Sequence, residues 1–300
     1  MNIVEAEQVL AASPNHRVLK RVPPVSKWMT KANPAETRRA VFLDVETTGL
    51  DQDIDEVIEL AMVPFDYDHH SGEIVRVDER AILSSFRQPS FPIPEASMHV
   101  HGIKDADVAG AVIDETRIEA ILREAQLVIA HNASFDRPMV EKHWPAFANM
   151  HWACSLEDID WAGESVASGK LDYILFRQGR FHEGHRATDD ALAALFLLHQ
   201  ALPVSGVTGL GALLAKARRA LFAVRAEGTP FEFREALKQR GYRWDAGAGI
   251  ERDKAWWILT EDAATEVEWL NAEVYAKPRT ITPIPMPATR RYSTRLWSVA

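Results

Sequence analysis

The sequence has little cysteine, which limits its covalent and metal chemistry. Cys154 is the one cysteine among 300 residues, so the chain forms no internal disulfide and has no second thiol for a Cys-rich metal site. A reducing compartment suits such a chain. We expect Cys154 itself to be a buried core residue.

Long apolar runs and a secretory leader are also missing. The longest apolar stretch, residues 191–202, is interrupted by His199 and Gln200 and is shorter than the about 18 residues of a membrane-spanning helix. The first residues include Glu5 and Glu7, where a secretory signal has basic and then apolar residues. We therefore expect a cytoplasmic protein without a membrane partner.

Positive charge is in the minority, since 34 Lys and Arg face 43 Asp and Glu and give a net charge of −9. This balance excludes a uniformly basic nucleic-acid binder. The acidic excess lies in residues 41–200, which carry 29 acidic and 12 basic residues, whereas residues 1–40 and 201–300 each have a net charge of +4. This pattern is typical of a cation-binding middle between flanks that contact a polyanion, although charge also serves solubility alone.

The chain is globular in composition, with 47% hydrophobic residues, and it divides into four regions by pattern. They are an irregular basic arm, an α/β domain, a small α-β-β-α module and a Pro-rich basic tail, at residues 1–39, 40–227, 228–276 and 277–300.

The α/β domain begins with strand-like runs and continues with alternating helices and strands. The runs at residues 40–45, 56–67 and 73–83 predict an antiparallel meander. A helix is predicted from Leu210 to about Arg225. Together these patterns favour a mixed sheet flanked by helices.

The first candidate site is the segment Asp44-Val45-Glu46-Thr47-Thr48-Gly49, at the end of an apolar run. Residues two apart on a strand face the same side, so Asp44 and Glu46 present two carboxylates together. A surface strand with alternating acids is the alternative. However, Val41, Phe42 and Leu43 indicate a buried strand, and buried unpaired carboxylates become neutral unless a cation holds them ionised. We therefore favour a metal site.

Two further segments place acids at helix starts. Asp136 follows His131-Asn132-Ala133-Ser134-Phe135, and Asp189 and Asp190 follow His185-Arg186-Ala187-Thr188. Each acid alone would be an ordinary first-turn residue that complements the helix dipole. The three segments together make a catalytic arrangement the better interpretation.

In order and spacing, the segments DxETTG, HNxxFD and HRAxxD resemble the exonuclease motifs of the DEDD superfamily. They are similar to the branch with a catalytic histidine, DEDDh, which includes the epsilon proofreading subunits of bacterial DNA polymerase III, RNase T and oligoribonuclease. The resemblance covers about residues 40–205. The sister branch has a tyrosine where this chain has Arg186, so the histidine branch is indicated.

This resemblance implies an RNase H-like fold and a metal-dependent 3′–5′ exonuclease that releases nucleoside 5′-monophosphates. The implied catalytic residues are Asp44, Glu46, Asp136, Asp190 and His185. The four acids would hold two divalent cations, Mg²⁺ or Mn²⁺, which activate water and stabilise the attacking and leaving oxygens. His185 would be the general base.

The resemblance also implies contacts with the substrate. The implied residues are Thr47, Leu50, His101, Asn132 and Phe135. Thr47 would meet the terminal nucleotide through its backbone, and Leu50 would insert between bases. For His101, a packed and hydrogen-bonded loop histidine is an equal alternative.

The C-terminal module combines basic residues, such as Arg234 and Arg243, with aromatic residues, such as Trp244 and Trp256. Basic and aromatic side chains together suit single-stranded nucleic acid. The alternative is that the aromatics form the core of the module and the charges form its solvated surface. We expect the core role for most aromatics and nucleic-acid contact for some of the basic residues.

Three functions follow from the sequence. The first is an exonuclease acting on a free 3′ end that is single-stranded or frayed, with DNA favoured and a DNA polymerase as a candidate partner. The second keeps the chemistry but takes RNA, as RNase T and oligoribonuclease do. The third is a non-catalytic binding module, which the full set of four acids and a histidine argues against.

Overall fold

The computed structural model describes residues 2–29, 36–247 and 253–297. The chain forms two compact units. The large unit comprises Met1–Ala217 and Tyr292–Ala300, and the small unit comprises Arg218–Arg291. Within the described ranges, no helix is long and apolar enough to cross a membrane.

The large unit is built on one mixed sheet. The strands of the large unit are β1 (Lys20–Arg21), β2 (Thr37–Thr47), β3 (Val57–Asp68), β4 (Ile74–Val77), β5 (Leu83–Phe86), β6 (Leu127–Ala130), β7 (Trp152–Cys154) and β8 (Arg180–Phe181). The sheet order is β4-β3-β2-β6-β7, and β5 also pairs with β3. β2 runs antiparallel to β3 and parallel to β6. The predicted α/β fold, with an antiparallel meander and parallel strands, is confirmed.

Helices cover both faces of this sheet. The helices of the large unit are α1 (Ile3–Ala11), α2 (Glu95–His101), α3 (Asp105–Val108), α4 (Glu115–Glu124), α5 (Ala133–His143), α6 (Leu171–Arg177), α7 (Ala187–His199) and α8 (Gly209–Ala217). Phe42 of β2 packs in a core with α6, α7 and α8, whereas Val41 and Leu43 pack in a second core with α4 and α5. Alternation along β2 therefore decides which face each side chain joins.

The N-terminal region is more ordered than the predicted irregular arm. α1 begins with a capping box formed by Asn2 and Glu5, and β1 pairs in parallel with β8. Trp28 is buried and packs edge-on against Phe196 of α7. Apolar side chains from this region thus join the core, which an irregular arm does not do. Lys31, one of the basic residues counted in the arm, lies outside the described residues.

The small unit begins ten residues earlier than the predicted module. Its strands are β9 (Phe222–Glu227), β10 (Arg243–Asp245), β11 (Ala255–Thr260) and β12 (Ile284–Pro285), and its helices are α9 (Arg234–Gln239) and α10 (Ala263–Trp269). The order β10-β11-β9-β12 makes β9 a central strand. The predicted helix over residues 210–225 is therefore wrong beyond Ala217, because pairing with strands on both sides overrides the helix propensity of this Ala-rich segment.

The predicted tail at residues 277–300 belongs to both units. β12 pairs with β9 in the small unit, and the chain then returns to the large unit. There Tyr292 donates to Asp158 (2.7 Å), while Ser293 (2.8 Å) and Arg295 (3.2 Å) donate to Glu141 of α5. The small unit is thus an insertion in the sequence of the large unit.

Candidate active site

β2 carries the first two acids of the site. Asp44 and Glu46 follow Phe42 at intervals of two residues, so they face the same side of the sheet, the side that α7 covers. The ladder between β2 and β3 shifts register directly after Glu46, at Thr47. A register shift ends regular pairing at this point, so the two carboxylates lie at the C-terminal end of a central strand.

The third acid comes from α7. Asp190 lies in the first turn of this helix, and its ligand atom, with those of Asp44 and Glu46, forms a group within 4.8 Å of one another. All three residues are half-buried. Two N–H groups from the preceding loop bind the Asp190 carboxylate: the His185 backbone N–H donates to Oδ2 (2.8 Å), and Nε2 of His182 contacts Oδ1.

The fourth predicted acid, Asp136, is the most buried of the set, with 4% of its surface exposed. It lies in the first turn of α5, which begins after Asn132 in the left-handed conformation (φ 97°). Asp136 accepts backbone hydrogen bonds from its own N–H and from Val45. Asp136 is not in the 4.8 Å group, but its charge is the strongest electrostatic influence on Asp44. It therefore borders the three-carboxylate group.

The carboxylates affect one another strongly because they are buried together. Burial raises the pKa of Asp44 well above its usual range, and the charges of Asp136, Asp190 and Glu46 raise it further. Burial and the charge of Asp190 raise the pKa of Glu46 to about 8. Burial likewise raises the pKa of Asp136. Such a group costs free energy when ionised without a cation.

The donor set fits a hard divalent cation. Mg²⁺ and Mn²⁺ prefer carboxylate oxygens, and the group offers three such ligands in one small volume with no competing sulphur or imidazole ligand among them. The positive charge of a cation would also oppose the raised pKa values. The residues present therefore fit the metal that the motifs imply.

His185 lies at the rim of this group. Its side chain is exposed, and its backbone is left-handed (φ 71°) while its N–H is bonded to Asp190. The left-handed turn lets the His185 backbone hold Asp190 while the ring remains accessible. A proton acceptor at the rim needs this kind of access.

Sequence reasoning missed Glu59, which fixes this loop. Glu59 of β3 is 1% exposed and accepts from Nε (3.1 Å) and Nη2 (2.9 Å) of Arg186 and from the N–H of Ala187 (3.2 Å). Two bonds from a planar guanidinium and one from the helix start determine where α7 begins. The signal in the sequence was an acid inside the otherwise apolar run 57–65, which demands a buried partner.

Sequence reasoning also missed His182, whose ring contacts Asp190. Burial lowers the pKa of His182, but the hydrogen bond and the charge of Asp190 raise it more, so that it lies above its usual value. The segment His182-Glu183-Gly184-His185 offered two histidines, and the motif spacing selected only the second.

The predicted substrate-binding residues differ in accessibility. Leu50 is 84% exposed, and Asn132 is exposed at the start of α5. Phe135 is half-buried and packs against the core. The Thr47 hydroxyl donates to the carbonyl of Gly49 (2.6 Å), and contact of its backbone with a nucleotide stays a prediction.

His101 is 6% exposed, and its Nδ1 accepts from the N–H of Ile103 (3.0 Å). Burial lowers its pKa. These contacts agree with the interpretation of a packed loop histidine, and a role in substrate binding stays a prediction.

Cys154 is fully buried, as expected, and Ala133 donates to its sulphur (3.3 Å). Burial raises the pKa of its thiol to about 12, so the thiol stays protonated at neutral pH. Thiol chemistry therefore plays no part in this site.

Known proteins resemble part of this chain. A DNA polymerase III of the PolC type from Staphylococcus aureus is 35% identical over 107 residues, which are 34% of this chain and 7% of that protein. The match thus spans a small part of the relative's length.

Two solved structures resemble the fold at low identity. Exonuclease X in complex with 5′-overhanging duplex DNA is 23% identical with a TM-score of 0.38, over 57% of this chain and 99% of that one. Exonuclease I of E. coli in complex with a dT13 oligonucleotide is 16% identical with a TM-score of 0.42, over 53% and 39%.

The model of one protein family, RNase_T, described as exonuclease, matches residues 41–198. This match spans more than half of the chain and includes all four acids and both histidines of the site. The protein belongs to the RNase_T exonuclease family, which confirms the family and the enzyme class that its motifs predict.

Proposed function

We propose that the protein is a metal-dependent 3′–5′ exonuclease that acts on single-stranded or frayed DNA ends and releases nucleoside 5′-monophosphates. The observation that carries this proposal is the convergence of Asp44, Glu46 and Asp190 within 4.8 Å beside an accessible His185. Three carboxylates and an exposed imidazole are the groups that phosphodiester hydrolysis needs.

The carboxylates would hold the metal. Asp44, Glu46 and Asp190 would bind one divalent cation directly, and Asp136, which borders Asp44, would help to hold a second. Two bound cations would activate water and stabilise negative charge on the attacking and leaving oxygens. The protein would hold these side chains in place before the substrate binds, through the end of the sheet and the hydrogen bonds of the loop before α7.

His185 would remove a proton from the attacking water. Imidazole is the side chain that most often accepts a proton in enzyme active sites. Its exposed ring can approach the water at the scissile phosphate, whereas His182 and His101 are buried. His185 is therefore the base in this proposal.

The exposed loop after β2 would contact the terminal nucleotide. Leu50 presents an apolar side chain to solvent, and an apolar side chain can stack on or insert between bases. The backbone of Thr47 lies next to the carboxylates and would position the 3′-terminal sugar. This arrangement favours an unpaired end over the interior of a duplex.

DNA is the favoured substrate because the S. aureus relative is a DNA polymerase. A DNA polymerase partner remains part of the proposal on the same ground. RNA is the second candidate, and a site that hydrogen-bonds the 2′-hydroxyl would separate the two.

A product analysis tests this proposal. Matched 5′-labelled DNA and RNA oligonucleotides are incubated with the full chain in Mg²⁺, Mn²⁺ or EDTA, and the products are resolved by length. We expect stepwise shortening from the 3′ end with either metal, no reaction in EDTA and faster cleavage of DNA. Faster cleavage of RNA would reassign the substrate.

Site variants complete the test. Asp44→Asn and His185→Ala should each lower the rate by about 10²-fold or more, since each removes a group that acts in the transition state. Asp53→Asn is the matched control, because Asp53 is an exposed acid of the neighbouring loop. Nuclease activity that survives in both site variants would contradict the proposal and favour a non-catalytic module.

A further inference from the structure

The carboxylate of Asp190 is held at both of its oxygens. Oδ2 accepts from the His185 backbone N–H (2.8 Å), and Oδ1 contacts Nε2 of His182. The side chain of His182 is 7% exposed and that of Asp190 is 16% exposed, so water has little access to this contact. Each oxygen keeps one further lone pair, and these lone pairs are available to a cation.

His182 lies near a second acid, to which its Nδ1 makes no hydrogen bond. Its Nδ1 lies 3.4 Å from Oδ1 of Asp172, in the first turn of α6. The side chain of Asp172 is 81% exposed, so this outer contact is weaker than the inner one. Asp172 therefore adds negative charge near the ring, and Asp190 is the carboxylate that the ring contacts directly.

Gly184 lies beside the inner contact. A Cβ atom at this position would lie 3.4 Å from Nε2 of His182 and 3.5 Å from Oδ1 of Asp190. The first distance is at the lower limit of ordinary contact. The loop therefore passes close to the histidine–aspartate pair, at a distance where a Cβ atom would make ordinary contact with both.

An aspartate needs such partners to aim its oxygens. The torsion that turns a carboxylate about its last bond is broad and has no sharp staggered minimum. Partners that bond the oxygens from outside determine the direction of the free lone pairs, and such outer partners are known to tune metal affinity.

We infer that His182 is a positioning residue that aims the Asp190 carboxylate at the metal site formed with Asp44 and Glu46. This inference rests on the proposed function and extends it to a residue outside the motifs. His182 is not the general base here, because its Nε2 is occupied by Asp190 and its ring is buried.

Metal binding to the full chain tests the inference without any nuclease assay. Mn²⁺ affinity is measured by EPR of the free ion and by calorimetry on wild type, His182→Ala, His182→Gln and Asp172→Asn. We expect His182→Ala to weaken Mn²⁺ binding about 10-fold or more. His182→Gln should recover most of this loss, because its amide N–H can replace Nε2, and Asp172→Asn should change affinity less than threefold.

A second histidine variant distinguishes loss of the orientation of Asp190 from the general effect of removing a buried ring. His199 is a half-buried histidine at the other end of the same helix, α7, next to Trp28. His199→Ala should lower thermal stability as much as His182→Ala or more, but it should leave the Mn²⁺ affinity unchanged.

Two results would overturn the inference. One is an Mn²⁺ affinity of His182→Ala within twofold of wild type, and the other is a loss that His182→Gln does not recover. Failure of the proposed function has a different signature: wild type would bind Mn²⁺ but shorten neither DNA nor RNA, and the affinity comparison would still decide the role of His182.

Discussion

Two residue pairs of the β2–β3 ladder show opposite solutions for buried charge. Near one end, Arg39 lies opposite Asp66, and Nε of Arg39 donates to Asp66 Oδ1 (2.9 Å). Near the other end, Glu46 lies directly opposite Glu59, so two acids share one register position. Like charges directly opposite each other destabilise a sheet.

The pKa values show the consequence. Burial raises the pKa of Asp66, but Arg39 and Arg76 lower it more, so that it lies below its usual range. Burial also raises the pKa of Glu46, and there the charges of Asp190 and Glu59 add to the effect while Arg186 opposes it only partly. Burial raises the pKa of the acid at both ends of the ladder. The pKa values differ because Asp66 has two arginines beside it, whereas Glu46 has mainly acids beside it.

This comparison separates structural acids from functional ones. Asp66 has its cations within the protein, whereas Glu46 lies near Asp190 and Glu59, whose charge Arg186 offsets only in part. Acids in a fold that lack internal cations mark a site that sacrifices stability for function.

Breaking the ion pairs at the Arg39–Asp66 end should lower the stability of the fold the most. Arg39→Met removes the more buried of the two arginines that contact Asp66 and Asp78, and we expect the free energy of unfolding to fall by about 2 kcal/mol. Chemical denaturation at pH 7 measures this loss. Arg76→Met is the matched control, because that side chain is 57% exposed and should cost about 1 kcal/mol or less. Equal losses would mean that burial does not govern the strength of these pairs.

A change at the end where Glu46 faces Glu59 should alter stability in the opposite direction. Glu46→Gln removes one of two facing acids, and we expect the metal-free protein to become more stable by about 1 to 2 kcal/mol. The same change should abolish the stabilisation that Mg²⁺ or Mn²⁺ gives to wild type. Thermal unfolding in EDTA and in metal checks both. A less stable metal-free variant would show that the facing acids are not in conflict.

The pH dependence of stability should differ between the two ends. Glu46 has a pKa of about 8 in the folded protein against an ordinary value of 4.5, so the folded state binds more protons between these values. Stability of the metal-free protein should therefore fall as pH rises from about 5 to 8, by at most about 1.4 kcal/mol per pH unit for this group.

Asp66 carries the opposite sign. Its folded pKa lies below the ordinary value of 3.8, so its contribution is present at neutral pH and is lost as the solution becomes more acidic than that value. Unfolding curves from pH 3 to 9 in EDTA would show a maximum between the two ranges. Added Mg²⁺ should reduce the loss of stability between about pH 5 and 8. Glu46→Gln should reduce the same loss in the absence of metal. A fall that is unchanged in Glu46→Gln would assign it to other groups.

Local sequence signals were enough for the inner part of the site. Alternation along β2 places Asp44 and Glu46 on one side of a buried strand, and the motif spacing selects Asp190 of α7 and His185 in the loop before it. Both depend on neighbours within a few residues, which the sequence shows directly.

The supporting residues could not be predicted in the same way. Glu59 and Arg186 are 127 positions apart in the chain, and they meet only because α7 packs on β3. β9 was predicted as a helix because its pairing partners, β11 and β12, come later in the chain. Tertiary pairing decides such cases, and propensity does not.

Charge counting was the least informative signal. The basic residues of the small unit suggested nucleic-acid contact, but several of them are engaged within the unit. Arg225 binds Asp245 (2.6 Å), and Arg240 binds Glu266 (2.9 Å) while its guanidinium lies over Trp269. Nucleic-acid contact by this unit stays a prediction that the net charge alone does not support.

The smallest effect concerns an acid near the site that is neither paired with a cation nor part of the metal group. Asp55 accepts from the hydroxyl of Thr48 (2.8 Å) and from the N–H of Asp51 (2.8 Å), and it closes the loop that carries Leu50. Asp55→Ala frees this loop, so we expect KM for a DNA oligonucleotide to rise about threefold while kcat changes little, a loss of about 0.7 kcal/mol in binding.

Steady-state kinetics at saturating Mg²⁺ measure this effect, with Asp53→Asn as the matched control from the same loop. Because Asp55 is satisfied by hydrogen bonds and not by a cation, its replacement should leave the Mn²⁺ affinity unchanged, in contrast to Glu46→Gln. A change in metal affinity for Asp55→Ala would extend the metal-binding group beyond β2 and α7. The boundary between structural and functional acids would then have to be moved into the loop.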